Sequence, residues 1–112
     1  MAFDEGLAQR IRDCLRRRSG TTERKMFGGL AFMANGHMFV GVIGGILMAR
    51  VGPDEYEHAL KKPHVREMDF TGKPMKGYVY VDAPGLESDS DLHYWVSACL
   101  RFVASLPSKA PR

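Results

Sequence analysis

The residues of this chain that could do chemistry are four histidines, two cysteines, an aspartate set among lysines, and a run of arginines. His37, His58, His64 and His93 fall in no HExxH or other metal-ligand spacing, so surface or structural roles are expected for them. Cys14 and Cys99 lie on separate expected helices, each on an apolar face, where cysteine behaves as a small hydrophobe. A nucleophilic thiol would need an electropositive, exposed setting, and a disulfide framework would need more cysteines. Gly28-Gly29 joins two expected strands. It matches neither GxxxxGK[ST] ahead of a helix nor GxGxxG after a strand, so it reads as a turn or bulge rather than a phosphate cradle. Asp69, close to Lys73 and Lys76, is the best candidate for holding a polar or anionic ligand. No metal, cofactor or catalytic residue is expected from these patterns.

The basic residues are unevenly placed. Residues 1–25 hold seven Lys and Arg (Arg10, Arg12, Arg16, Arg17, Arg18, Arg24, Lys25) against four acids, and residues 26–112 hold nine of each. The formal excess of +3 therefore sits on the first helix and the entry to the first strand. Such a set is read first as a solvated helix flank, and otherwise as a surface that could contact phosphates or a protein partner. No helix-turn-helix, zinc-finger or RNA-recognition signature accompanies it to read bases.

The elements that position these residues follow from apolar spacing. Leu7, Ile11, Cys14 and Leu15 predict an amphipathic helix over 4–18, stopped by Gly20. Asn35-Gly36 is the strongest two-residue hairpin signal, and with Gly28-Gly29 and Gly44-Gly45 it divides residues 23–51 into strands near 23–28, 30–34, 37–43 and 46–51. In the third strand His37, Phe39 and Gly41 are expected on one face and Met38, Val40 and Val42 on the other. Both faces are apolar, as expected where helices cover much of a sheet. Pro53 opens a short helix to Lys61, and Pro63 ends it. An extended stretch over 64–70 and a strand over 75–81 follow, then a surface loop over 82–90. Ser88 caps a last helix, 89–106, whose core face carries Leu92, Trp95, Val96, Cys99, Leu100, Val103 and Leu106.

The chain of 112 residues is long enough for one modest core, expected over 1–107 with a frayed tail at 108–112. The order α-β-β-β-β-α-β-β-α predicts an α+β fold, with one antiparallel sheet and the N- and C-terminal helices packed on it. No apolar run is long enough for a membrane span, and the first residues lack the order of a secretory signal, so a cytoplasmic location is expected.

Several runs carry a family resemblance: RKMFGGLAFM (24–33) with Asn35-Gly36 and Met38-Phe39, LMARVGP (47–53), MDFTG (68–72) with PMKGYV (74–79), and Trp95-Val96. Together they resemble the N-terminal domain of the TfoX/Sxy family, with Met26, Phe27, Gly28, Gly29, Gly72, Pro74 and Gly77 as motif residues. The resemblance implies an α+β domain and a non-enzymatic, regulatory role. The family's founders promote natural competence, acting with the cyclic-AMP receptor protein at promoters. They carry a second, helical domain after this one, which is not expected within 1–112. The leading expectation is thus a module that works through a protein partner in transcription. The alternatives are direct nucleic-acid binding by the basic helix, and a small ligand-binding or enzymatic domain near Asp69.

Overall fold

A computed structural model describes residues 3–16, 18, 20–26, 28–68, 72 and 75–107. The elements run α1 (Glu5–Cys14), β1 (Thr21–Met26), β2 (Gly29–Ala34), β3 (His37–Ile43), β4 (Ile46–Arg50), α2 (Tyr56–Leu60), β5 (Val65–Glu67), β6 (Tyr78–Val81) and α3 (Asp89–Ala104), with a 3-10 turn at Ala83–Leu86. All six strands form one sheet in the order β1-β2-β3-β4-β6-β5, every pairing antiparallel. The expected α+β architecture is the one observed.

The core lies on one face of that sheet. Leu30, Phe32 and Ala34 of β2, Val40 and Val42 of β3, Leu47 and Ala49 of β4, and Val79 and Val81 of β6 belong to a single buried cluster. Leu7, Ile11 and Leu15 join it from the first helical segment, Tyr56 and Ala59 from α2, and Leu92, Trp95, Val96, Cys99, Leu100 and Val103 from α3. Trp95, Ile11, Leu15, Val96 and Leu100 are all buried, as the periodicity requires. The second face is apolar too, through Ala31, Met33, Met38, Met48, Ile43 and Ile46. The helices' buried residues, however, join only the first face, so helix cover does not account for the composition of both.

Several expected boundaries move for identifiable reasons. The first α-helix stops at Cys14 rather than residue 18: the Leu15 N–H turns to the carbonyls of Ile11 and Arg12, and the Arg18 N–H closes a turn on Leu15. Leu15 is still buried at this point, and the chain then reverses through Gly20, φ +83°, into β1. The last strand is shorter than 75–81 because Met75–Gly77 form a turn, with the Tyr78 N–H on the Met75 carbonyl and Gly77 at φ +96°. The loop 82–90 is not wholly a surface feature, since Leu86 is buried.

The expected faces of β3 need correction. The register pairs Phe32 with Val40 but Met33 with Met38, leaving Phe39 as an extra, bulged residue. Alternation breaks there. His37, opposite Ala34, falls on the core face with Val40 and Val42, Phe39 is also in the core, and Met38 and Gly41 turn to the second face.

Helix ends and hairpins form where side chains satisfy the backbone. The Asp4 carboxylate accepts from the N–H groups of Gly6 and Leu7 at the start of α1, and the Ser88 hydroxyl accepts from Asp91 N–H at the start of α3. Asn35 and Gly36 both have positive φ, 56° and 81°, as the tight β2–β3 turn demands.

Replacing Trp95 with alanine is expected to cost about 3–5 kcal/mol, measured by denaturant unfolding, because the ring is 4% exposed at the centre of this cluster. Gly77→Ala should also destabilise, by about 1 kcal/mol or more, since a Cβ there would sit 3.3 Å from the Gly52 and Pro53 backbone at a left-handed φ.

Candidate interaction surface

The arginines of the first helical segment point into ion pairs and backbone contacts. Arg12 donates to both carboxylate oxygens of Glu23, at 2.7 and 2.9 Å, and also to Gln9, so it ties α1 to the edge strand β1. This fork geometry holds Glu23 below the ordinary carboxylate pKa and raises that of Arg12. Arg10 donates to the Leu86 and Glu87 carbonyls and to Asp89, joining α1 to the approach to α3. Arg16 pairs with Asp13 one turn away. Neither Arg10 nor Arg12 is a fully exposed charge; their side chains are 35% and 34% exposed and their donors are engaged within the chain. Arg17 lies outside the described residues, and Arg18 is exposed.

Arg24 and Lys25 differ from these. Both are exposed on β1, and neither makes an ion pair among the described residues. Elsewhere, cations cap aromatic rings. Arg50 stands 5.5 Å from the centroids of Tyr78 and Phe102, Arg66 5.0 Å from Tyr80, and Lys62 4.7 Å from Tyr94. Arg66 also forms a bidentate pair with Asp82, which lowers the pKa of that carboxyl.

The cysteines hold no activated thiol. Cys99 is fully buried, and burial pushes its pKa far up. Cys14 is half-buried, not fully buried. It lines a groove between α1 and α3 with Arg10, Asp13, Asp89, Ser90 and His93. Burial, then the Asp89 carboxylate, raises its pKa, so the thiol stays protonated and is a poor nucleophile. Among the described residues, no group of three or more His, Cys, Asp and Glu side chains is arranged to hold a metal. A second groove, between the entry to α2 and α3, is lined by Pro53, Asp54, Glu55, Tyr94, Trp95 and Phe102 among others.

The expected polar-ligand site is mostly outside the described residues: Asp69 and Lys73 both lie there, and Lys76 is exposed in the turn before β6. Of the motif residues, Phe27 and Pro74 are also outside them. Met26 ends β1 at 41% exposure, Gly28 (φ +73°) makes the turn, and Gly29 begins β2 in a buried position. Gly72 has φ +84°. Gly77 accepts at its carbonyl from the Gly52 N–H, and its missing side chain lets two backbones approach. These motif residues thus serve turns and close packing in the described structure.

His37 has the structural role expected of the histidines, but on the opposite face of β3 from the one its alternation predicts. His37 is 6% exposed, and its Nε2 lies 2.6 Å from the Pro107 carbonyl, fastening the end of α3 to β3. Its Nδ1 is buried with no partner among the described residues. Only the β-bulge that turns His37 to the core face could have signalled this, and a bulge is invisible in an alternation pattern.

Among the described residues the chain is a two-layer α+β domain whose edge strand β1 is exposed and carries Arg24 and Lys25. The chain matches the family model of the TfoX N-terminal domain over residues 13–103, and it belongs to that family. No curated protein and no solved structure matches it significantly. No helix among the described residues is long and apolar enough to cross a membrane.

Arg12→Ser should lower stability by about 1 kcal/mol or less, since both partners are partly solvated. Because Glu23 has a depressed folded-state pKa, the pair's contribution is present above the unfolded carboxylate pKa and lost as pH falls through the folded one. Unfolding curves of parent and variant should therefore converge in acid and separate near neutrality.

Proposed function

We propose that this chain is a non-enzymatic, cytoplasmic interaction module that works through a protein partner in transcription. The observation that carries the reading is the internal use of the helix arginines. Arg10, Arg12 and Arg16 are bonded to carboxylates or carbonyls of the same chain, so α1 offers few uncommitted cations to a phosphate backbone. The Tyr78 and Tyr80 rings, which a single-stranded base could otherwise stack on, are already covered by guanidinium groups. Membership of the TfoX N-terminal domain family supports a regulatory role, given the association of the family's founders with promoters.

Two measurements test this. Affinity capture from nuclease-treated host lysate, read by mass spectrometry, should recover a transcription-associated protein in stoichiometric amount. Binding to duplex DNA at ~150 mM salt should be weak or absent. Sub-micromolar DNA binding whose log–log salt slope steepens by about 0.9 per phosphate contact, and which Arg12→Ser/Arg16→Ser weakens, would overturn the reading in favour of nucleic acid.

A further inference from the structure

The two edges of the sheet are managed differently. β5 is three residues long, and α2 stands beside it through the bond from the Tyr56 hydroxyl to Glu67. β1 is six residues long, contains neither proline nor bulge, and among the described residues pairs on one side only, with β2. Its last five residues are all exposed. Every second residue of such an edge turns its N–H and C=O outward, a ready template for another strand.

The edge is also selective in charge. Arg24 points to one face of the sheet and Lys25 to the other, while the strand's carboxylate, Glu23, is committed to Arg12. Two copies pairing through β1 would bring four uncompensated cations together, which disfavours self-association. Beside the strand, a small recess between α1 and β1 is lined by Arg12, Leu15, Thr21, Thr22, Glu23 and Phe32. Leu15 and Phe32 are buried there and give it an apolar floor. Strand addition draws affinity from main-chain hydrogen bonds and specificity from such recesses, which take alternate side chains.

From these features we infer that β1 is the docking edge, and that it accepts an extended, acidic segment of a protein partner as a seventh strand. Carboxylates of that segment face Arg24 and Lys25, and an alternate apolar side chain enters the recess. The inference rests on the protein-partner reading above and makes it specific.

The test uses the full chain, labelled with nitrogen-15, and a short acetylated peptide in which pairs of glutamates alternate with pairs of valines, so that each face of the added strand carries both residue types. The lysine–valine counterpart serves as a control, as does the glutamate peptide N-methylated at alternate residues. The glutamate peptide should shift amide signals of residues 21–26 and bind about tenfold more tightly than the lysine peptide. N-methylation should abolish binding. Arg24→Glu/Lys25→Glu, both at exposed positions, should keep a dispersed spectrum and reverse the preference. Equal binding of the two peptides, unimpaired binding of the N-methylated peptide, or shifts confined to α1 or α3 would overturn the inference. So would concentration-dependent dimerisation through β1 without peptide, or tighter binding of a single-stranded oligonucleotide at the same amides. If the double variant still captures the lysate partner, this edge is wrong and the protein-partner reading survives. If the unaltered chain captures none, that reading itself fails.

Discussion

Burial of the apolar stripe of α3 against one face of the sheet is the constraint from which the rest of the molecule follows. Leu92, Trp95, Val96, Cys99, Leu100 and Val103 repeat at helical spacing, and all enter the same cluster as the inward residues of β2, β3, β4 and β6. At roughly 25 cal/mol per Å² of apolar surface, burying six such side chains outweighs any single polar contact among the described residues. The two ends of α3 are then fastened. Arg10 bonds the Leu86 and Glu87 carbonyls just ahead of α3, and His37 holds the Pro107 carbonyl just after it. α1 fills the space left beside α3 with Leu7, Ile11 and Leu15, and Arg12 locks it to β1.

That arrangement consumes most of the conspicuous charge. An arginine-rich helix read as a sequence suggests an electrostatic surface. Folded, Arg10 and Arg12 act as cross-links between elements, and Arg16 answers a carboxylate one turn away. What is left over among the described residues of the basic segment is Arg18, exposed beyond α1, and the pair Arg24 and Lys25 on the edge strand, whose backbone is also open to pairing.

Much of the fold was legible because its signals are local and agree with one another. Asn35-Gly36 specifies its turn by φ, and the α3 stripe by spacing. Trp95 could be placed in the core from those patterns alone. What was not legible depends on contacts distant in sequence. The bulge at Phe39 shows only in the β2–β3 register, so the side of the sheet taken by His37 was misassigned. The early end of α1 depends on where Leu15 must stop to reach the core. The partners of Arg10 lie 76 residues and more away, so no spacing rule could have shown them engaged. The family resemblance was legible for a different reason: several of its glycines mark places where backbones turn or touch, as Gly52 and Gly77 do.

On the proposal made above, the exposed edge of β1, and not the arginine helix, is the surface that would take a protein partner. Hydrogen–deuterium exchange of the chain alone and in the complex recovered from its host tests it most directly. Alternate amides of residues 21–25 should exchange rapidly in the free chain and slow sharply in the complex, with those of α3 unchanged. Protection confined to α1, or a complex that survives only while nucleic acid is present, would contradict the account.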